Sequence, residues 1–197
     1  MAPYVLVLYD STHGATRQLA YLIAEGVLKA GVEVKIRCVP KVSTVCEQVA
    51  PSIPSEGDIY CSQADLIGCA AVALGSPTHF GNMSASMKYF WDNTVAVWLS
   101  GQLQGKPACV FTSTGSLHGG QESTLLTMML PLLHHGMMVL GLPYAHGALS
   151  KTQSGGTPYG VSHWAGTSNE KGISGDEKTL AIAQGERLAW VVKKLGE

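Results

Sequence analysis

The sequence predicts an α/β protein, a doubly wound parallel β-sheet of five strands with helices on both faces. Three observations carry this. Short apolar runs of strand length alternate with longer stretches whose apolar residues recur at helical spacing, the signature of βαβ units. Several of the runs are apolar throughout, as strands covered on both faces require. Hydrophobic residues make up 46% of the 197 positions and charged ones 14%, so the chain can bury a core.

Taken in order, Tyr4 to Tyr9 is the first buried strand. Leu19, Leu22, Ile23, Gly26, Val27 and Ala30 then recur at helical spacing, and Gly31 stands where that helix should end. Val32 to Val39 alternates more with polar residues and reads as a second, edge strand. Residues 40 to about 64 hold Pro40, Pro51, Pro54 and Gly57 without sustained periodicity, which predicts an irregular excursion. Asp65 to Cys69 finishes a short helix, and Ala70 to Leu74 is the third strand. Asn82, as a candidate N-cap, opens a helix to Asp92 with Met83, Met87, Phe90 and Trp91 inward. Lys106 to Thr112 is the fourth strand, Glu122 to His135 a further helix, and Met137 to Leu142 the fifth strand. A second excursion runs from Tyr144 to about Gly172. Ser174 and Glu177 form a capping box for the last helix, with Leu180, Ala183, Leu188, Val191 and Leu195 on one face. All of this fits a single domain over residues 1–197.

The rest of the composition narrows the function. A formal net charge of -1, from 13 basic and 14 acidic residues, includes no basic stripe for nucleic acid and no acidic docking block. Cys38, Cys46, Cys61, Cys69 and Cys109 are odd in number and form no C-x-x-C pair, so neither a disulfide framework nor a metal site is expected. No apolar run approaches the ~18 residues of a membrane span, and Met1 to Tyr4 lacks the features of a signal peptide. A soluble cytoplasmic protein is expected. No G-x-S-x-G elbow is present, which argues against a hydrolase.

A sheet of this kind binds its ligand outside the carboxyl ends of its strands, so the turns after strands one, three and four matter most. After the first come Asp10, Ser11, Thr12, His13, Gly14, Ala15 and Thr16, leading into a helix. Hydroxyls, backbone amides and a helix amino end suit a phosphate monoester. The spacing is neither a P-loop nor a dinucleotide fingerprint, and an ordinary N-capped turn is the plain alternative. After the third come Gly75, Ser76, Pro77, Thr78, His79, Phe80, Gly81 and Asn82, which can offer main-chain groups to a flat heterocycle while Phe80 covers its edge. After the fourth come Ser113, Thr114, Gly115, Ser116, Leu117, His118 and Gly119, again hydroxyls and glycines. Three such turns in order describe a flat, phosphorylated ligand such as FMN.

These residues resemble the tryptophan-repressor-binding-protein (WrbA-type) group of flavodoxin-like NAD(P)H:quinone oxidoreductases. The resemblance covers nearly the whole chain. It is carried by Tyr4 to Tyr9 with Ser11 and Gly14, by Gly75 to Thr78 and Phe80 to Met83, and by Ser113 to Gly115 with Gly119 to Glu122. Two further runs, His134-His135-Gly136-Met137 and Gly155-Gly156-Thr157-Pro158-Tyr159-Gly160, set the group apart from ordinary flavodoxins.

The resemblance implies strand order 2-1-3-4-5 and a homotetramer whose sites are completed by neighbouring subunits. It implies non-covalent FMN, with Ser11 to Thr16 around the phosphate and Pro77 to Asn82 and Ser113 to Gly119 along the ribityl chain and ring. Trp98, Tyr144 and His134 match positions lining the cavity over the flavin, where NADH or NADPH and then a quinone would stack in a ping-pong, two-electron reaction. His134 is the candidate donor to a quinone carbonyl, and His135 is expected to be structural. His79 stands where the family usually has Arg, and His13, beside the nicotinamide cofactor, where many members have Tyr. The alternative classes are a non-enzymatic electron carrier, which the near-neutral charge does not suit, and a regulatory binding module.

Overall fold

A computed structural model describes residues 2–43, 54 and 56–196 of the chain. Residues 44–53 and 55 of the first predicted excursion, Cys46 and Pro51 among them, lie outside the described residues. The strands β1 (Tyr4–Tyr9), β2 (Glu33–Cys38), β3 (Ala71–Pro77), β4 (Pro107–Thr114) and β5 (Met138–Val139) form a parallel sheet in the order β2-β1-β3-β4-β5. That is the fold class and strand order expected.

The fifth position differs from expectation. The sequence predicts one strand over Met137 to Leu142, yet only Met138–Val139 pairs, against Pro107 and Ala108 at the start of β4. A further strand, β6 (Val161–Trp164), pairs with the second half of β4, Phe111 to Thr114. One edge position is thus filled by two short strands, with the excursion after Val139 leaving the sheet between them. Its return explains the Gly155–Gly160 run as packing. A Cβ on Gly155 would stand 2.1 Å from the Ser162 carbonyl oxygen, and one on Gly160 would stand 2.2 Å from that of Val110.

Alternate residues of the buried strands face opposite ways. Val5, Val7, Ala71, Ala73, Cys109 and Phe111 pack under α1 (Ala15–Lys29) and α7 (Gly175–Gly196). Leu6, Leu8, Val72, Leu74, Ala108 and Val110 pack under α2 (Gln63–Gly68), α3 (Ala85–Asp92) and α5 (Gln121–His134). The first two helices cross through glycine. A Cβ on Gly26 would meet the Ile182 carbonyl oxygen at 2.1 Å, and one on Gly185 would meet that of Ile23 at 2.0 Å. Any side chain there would separate the helices.

Two local expectations need correction. Helix α3 starts later than expected, with Ser84 rather than Asn82 as its N-cap, because the Ser84 hydroxyl accepts from Met87 N–H. Asn82 instead closes a tight turn on His79, with paired backbone bonds of 2.8 and 3.1 Å. On α7, Leu195 is exposed and Val191 half-buried; Leu180, Ala181, Gln184, Leu188 and Val192 form the buried face. The apolar run around Trp98 is a short helix of its own, α4 (Val95–Leu99), and the second excursion carries another, α6 (Ala148–Lys151).

Helix α7 does begin with the expected capping box: Ser174 N–H donates to Glu177 Oε2 at 2.7 Å, and Glu177 N–H to the Ser174 hydroxyl at 3.2 Å.

Candidate functional site

The carboxyl ends of β1, β3 and β4 open into a cavity of about 370 Å³, within the size of small-ligand sites. Its lining includes Ser11, Thr12, His13, Ala15, Thr16, Pro77, Thr78, His79, Ser113, Thr114 and Gly115, so the structure brings the three predicted turns together. No Lys, Arg, Asp or Glu among the described residues lines it. Anion recognition there falls to dipoles and hydroxyls.

The helix that opens into this cavity is prepared for an anion. Gly14, at φ 87, caps α1 in a left-handed conformation that a side chain would strain, and no side chain caps the helix. The first intrahelical bond is from Gln18 N–H to the Gly14 carbonyl, so the amides of Ala15, Thr16 and Arg17 have no partner within the helix. The first turn carries no acidic residue. Helices α2 and α3, by contrast, are capped by Ser62 and Ser84. Free amides, the helix dipole and neighbouring hydroxyls converge where a phosphate would sit.

The loops are fixed to one another. Gly14 N–H donates to the Ser11 hydroxyl at 3.1 Å, and the buried Thr16 and Ser113 hydroxyls share a bond of 2.8 Å between the first and third turns. Thr78 N–H donates to the Ser113 carbonyl at 3.0 Å, and the hydroxyls of Thr78 and Thr124 lie 2.6 Å apart. Asp10, nearly fully buried at the end of β1, accepts from the Ser84 hydroxyl at 2.6 Å and pairs with Lys41.

A fourth wall has no counterpart among the predicted turns. Ala165, Gly166, Thr167, Ser168 and Asn169, just past β6, line the cavity as well. Asn169 reaches across to donate to the His13 carbonyl at 3.1 Å. The wall hangs from Glu177, which is fully buried. Its Oε1 accepts from the Ser154 hydroxyl, Gly155 N–H and Trp164 N–H, and its Oε2 from Ser174 N–H and His163 Nδ1. Burial opposes its ionisation, but the bonds from His163, Ser154 and Ser174 outweigh that and hold the carboxyl down at about 2.

Other predicted residues stand beside the cavity or away from it. Phe80, at φ 53, and Gly81, at φ 77, form a two-residue turn that leaves the Phe80 ring fully exposed beyond the lining. Ser116, Leu117, His118 and Gly119 continue the rim before α5, where the Thr114 hydroxyl donates to the Ser116 carbonyl at 2.8 Å. Tyr144 is exposed on the excursion that leaves β5.

Trp98 and His134 meet, since the Trp98 indole N–H donates to the His134 carbonyl at 2.8 Å. They meet at the wrong rim for this cavity. The adjoining Gly136 carbonyl accepts from Gly105 N–H, next to the start of β4, while the cavity lies at its far end. The eight residues of β4 separate the two rims by roughly 23 Å. Within one chain neither residue reaches the cavity. His135 is buried, its Nε2 lies 3.0 Å from the Thr94 hydroxyl, and burial lowers its pKa.

The family model described as NADPH-dependent FMN reductase matches residues 3–148. A protein of Chromohalobacter salexigens named NAD(P)H dehydrogenase (quinone) is 42% identical, over 97% of this chain and 98% of its own length. One of the same name from Rhizobium rhizogenes is 41% identical, over 97% and 98%. The solved WrbA-like flavodoxin from Agrobacterium tumefaciens is similar in fold, with a TM-score of 0.68 at 23% identity over 98% of this chain and 99% of that one. The two-electron reduced flavodoxin of Megasphaera elsdenii gives a TM-score of 0.60 at 18% identity, over 94% and 98%.

Proposed function

The chain belongs to the NADPH-dependent FMN reductase family, and we propose that it is an FMN-dependent NAD(P)H:quinone oxidoreductase that holds its flavin non-covalently. The observation that carries this is the uncapped amino end of α1, with its hydroxyl-rich loop, opening into a cavity framed by the turns after β1, β3 and β4. The names of the relatives, at about two-fifths identity over almost the full length, give the reaction.

In this reading the free amides of α1 and the hydroxyls of Ser11, Thr12 and Thr16 hold the phosphate. Pro77 to Asn82 and Ser113 to Gly119 flank the ribityl chain and ring. Ala165 to Asn169 close the cavity over them and exclude water. The flavin, when bound, supplies the redox chemistry; the protein supplies position and field. His79, which stands where the family usually has Arg, and His118 lie on the loops that flank the ring. Nicotinamide and quinone use the same space in turn, a ping-pong order.

Trp98, His134 and Tyr144 act in this reading from a neighbouring copy. The outer faces of α4 and α5 support it: Val95, Trp98, Leu99, Leu130 and Leu133 are all exposed, an apolar surface suited to burial against another subunit. We place these residues in a homotetramer in which one copy's Trp98 and His134 roof another's cavity, with His134 as donor to a quinone carbonyl. The four described cysteines are free thiols, which fits a cytoplasmic setting, and no helix among the described residues is long and apolar enough to cross a membrane.

The test is a spectrum of the FMN-loaded protein, taken without oxygen. NADPH or NADH should bleach the flavin absorbance and benzoquinone should restore it; flavin uptake without bleaching would leave only a carrier. Trp98→Ala should keep FMN affinity within about twofold while quinone turnover falls about tenfold or more. Unchanged turnover by an intact oligomer would remove Trp98 from the site.

A further inference from the structure

A second cavity, of about 590 Å³, lies on the other side of the Ser11-Thr12-His13 loop and shares those three residues with the first. Its remaining walls come from the ends of β1 and β2, from the start of α1 and from Pro54, Glu56, Gly57 and Tyr60. Nothing in the flavin reading uses it.

Three of its side chains are of different chemistry and open to a ligand. Arg17 projects from the first turn of α1, its guanidinium nitrogens near Gly14 and Gly57, at 3.8 and 3.7 Å from where their Cβ atoms would stand. Among the described residues it makes no hydrogen bond or ion pair. Lys41, the other cation on the wall, is already neutralised by Asp10, whose second oxygen is held by Ser84. Glu56 is an exposed carboxylate with no partner among the described residues. Tyr60 adds a half-buried ring. Tyr9, in contrast, spends its hydroxyl on Asp58, to which it donates at 2.9 Å.

A ligand that satisfies all three must carry an anion for the guanidinium, hydroxyl donors for the carboxylate and a flat ring for the tyrosine. We propose that this cavity binds an adenosine phosphate group, with Arg17 on the phosphate, Glu56 on the ribose hydroxyls and Tyr60 against the base. Arginine suits a phosphate through its fork of donors. A carboxylate accepting from ribose hydroxyls is a recurrent arrangement for dinucleotides. The group would lie directly beyond the phosphate of the bound flavin, across one loop. The inference rests on the flavin reading, because that reading puts a substrate dinucleotide at this rim. Two molecules could deliver the same group: the nicotinamide cofactor, or FAD taken in place of FMN.

The experiment is calorimetric titration of the FMN-loaded protein with ADP, beside titration of the apoprotein with FMN and with FAD. ADP should bind the loaded protein one to one, Arg17→Gln should weaken it about fivefold to tenfold, and Glu56→Gln by a smaller factor. FMN affinity should be unchanged in both variants, because Arg17→Gln keeps the backbone amide that faces the flavin phosphate and alters only a side chain outside the first cavity. ADP that competes with NADPH names the nicotinamide cofactor as the source. FAD that binds the apoprotein more tightly than FMN, with the excess lost in Arg17→Gln, names the flavin. Either result supports the site. No ADP binding to a protein that has taken up FMN overturns this inference alone, as does equal binding by Arg17→Gln. Loss of FMN in Arg17→Gln would also overturn it, since Arg17 would then belong to the flavin phosphate. Failure of FMN uptake by the unaltered protein overturns the flavin reading itself.

Discussion

Thr12→Glu lowers the affinity for FMN by about 100-fold or more, read by calorimetric titration, while the thermal midpoint stays within a few degrees. Thr12 is an exposed residue on the lining of the first cavity, so a longer side chain there costs the fold little. What changes is the charge. The described lining of the cavity has no charged side chain, and its field comes from the free amides at the start of α1. A carboxylate beside them competes for those amides and repels the phosphate; like charges brought together in a site cost several kcal/mol. Thr12→Val separates the two effects, because it removes the hydroxyl without adding charge and should weaken FMN only about fivefold to tenfold. Wild-type affinity in Thr12→Glu would mean that the phosphate lies elsewhere, and the flavin placement would fall with it.

The three turns are legible in the sequence because each succeeds a short apolar run of strand length. Tyr4 to Tyr9 and Ala71 to Leu74 could hardly be anything else, and the residues after such strands must stand at the carboxyl rim. The wall from Ala165 to Asn169 is hidden by the shortness of β6. Four residues inside a stretch rich in glycine carry no periodicity, and their partner, Phe111 to Thr114, is about fifty positions away. The flanking Gly160 and Gly166 are the available signal. The displaced N-cap has a similar cause: Asn82 and Ser84 are equally good caps in isolation, and only the His79–Asn82 turn decides between them. The separation of His134 from the cavity, by contrast, is implicit in helix length. Helix α5 has fourteen residues, and at 1.5 Å each its ends are roughly 20 Å apart, so a helix that starts at one rim must end at the other. Capping by Ser174 marks Glu177 as a helix-start residue. It does not show that the same carboxylate gathers Ser154, Gly155, His163 and Trp164, because those contacts depend on a strand without a sequence signature.

Glu177→Gln is expected to lower the thermal midpoint by about 6–12 °C, from a loss of about 3 kcal/mol in a chain of this length. The geometry leaves little room for a milder outcome. Five donors converge on two carboxylate oxygens that are wholly buried, and glutamine replaces one of those oxygens with a nitrogen that itself donates. At least two donors lose their acceptor inside the protein. The same variant should weaken FMN about tenfold, because Trp164 N–H and Gly155 N–H hold the strand and return that lead into the Ala165–Asn169 wall. The pH dependence gives an independent check. The carboxyl is held down at about 2, against an ordinary value near 4.5, so its stabilisation is fully present above pH ~4.5 and is lost as pH falls toward 2. Asp65, which burial would raise but Arg37 and Ser62 hold down, also sits at about 2 and titrates in the same window. Wild-type stability should therefore fall steeply between about pH 5 and 2, and Glu177→Gln should show a shallower decline, to which Asp65 contributes. Parallel curves for the two proteins would mean that Glu177 does not carry its charge in the folded state, and the wall would have to be held by something else.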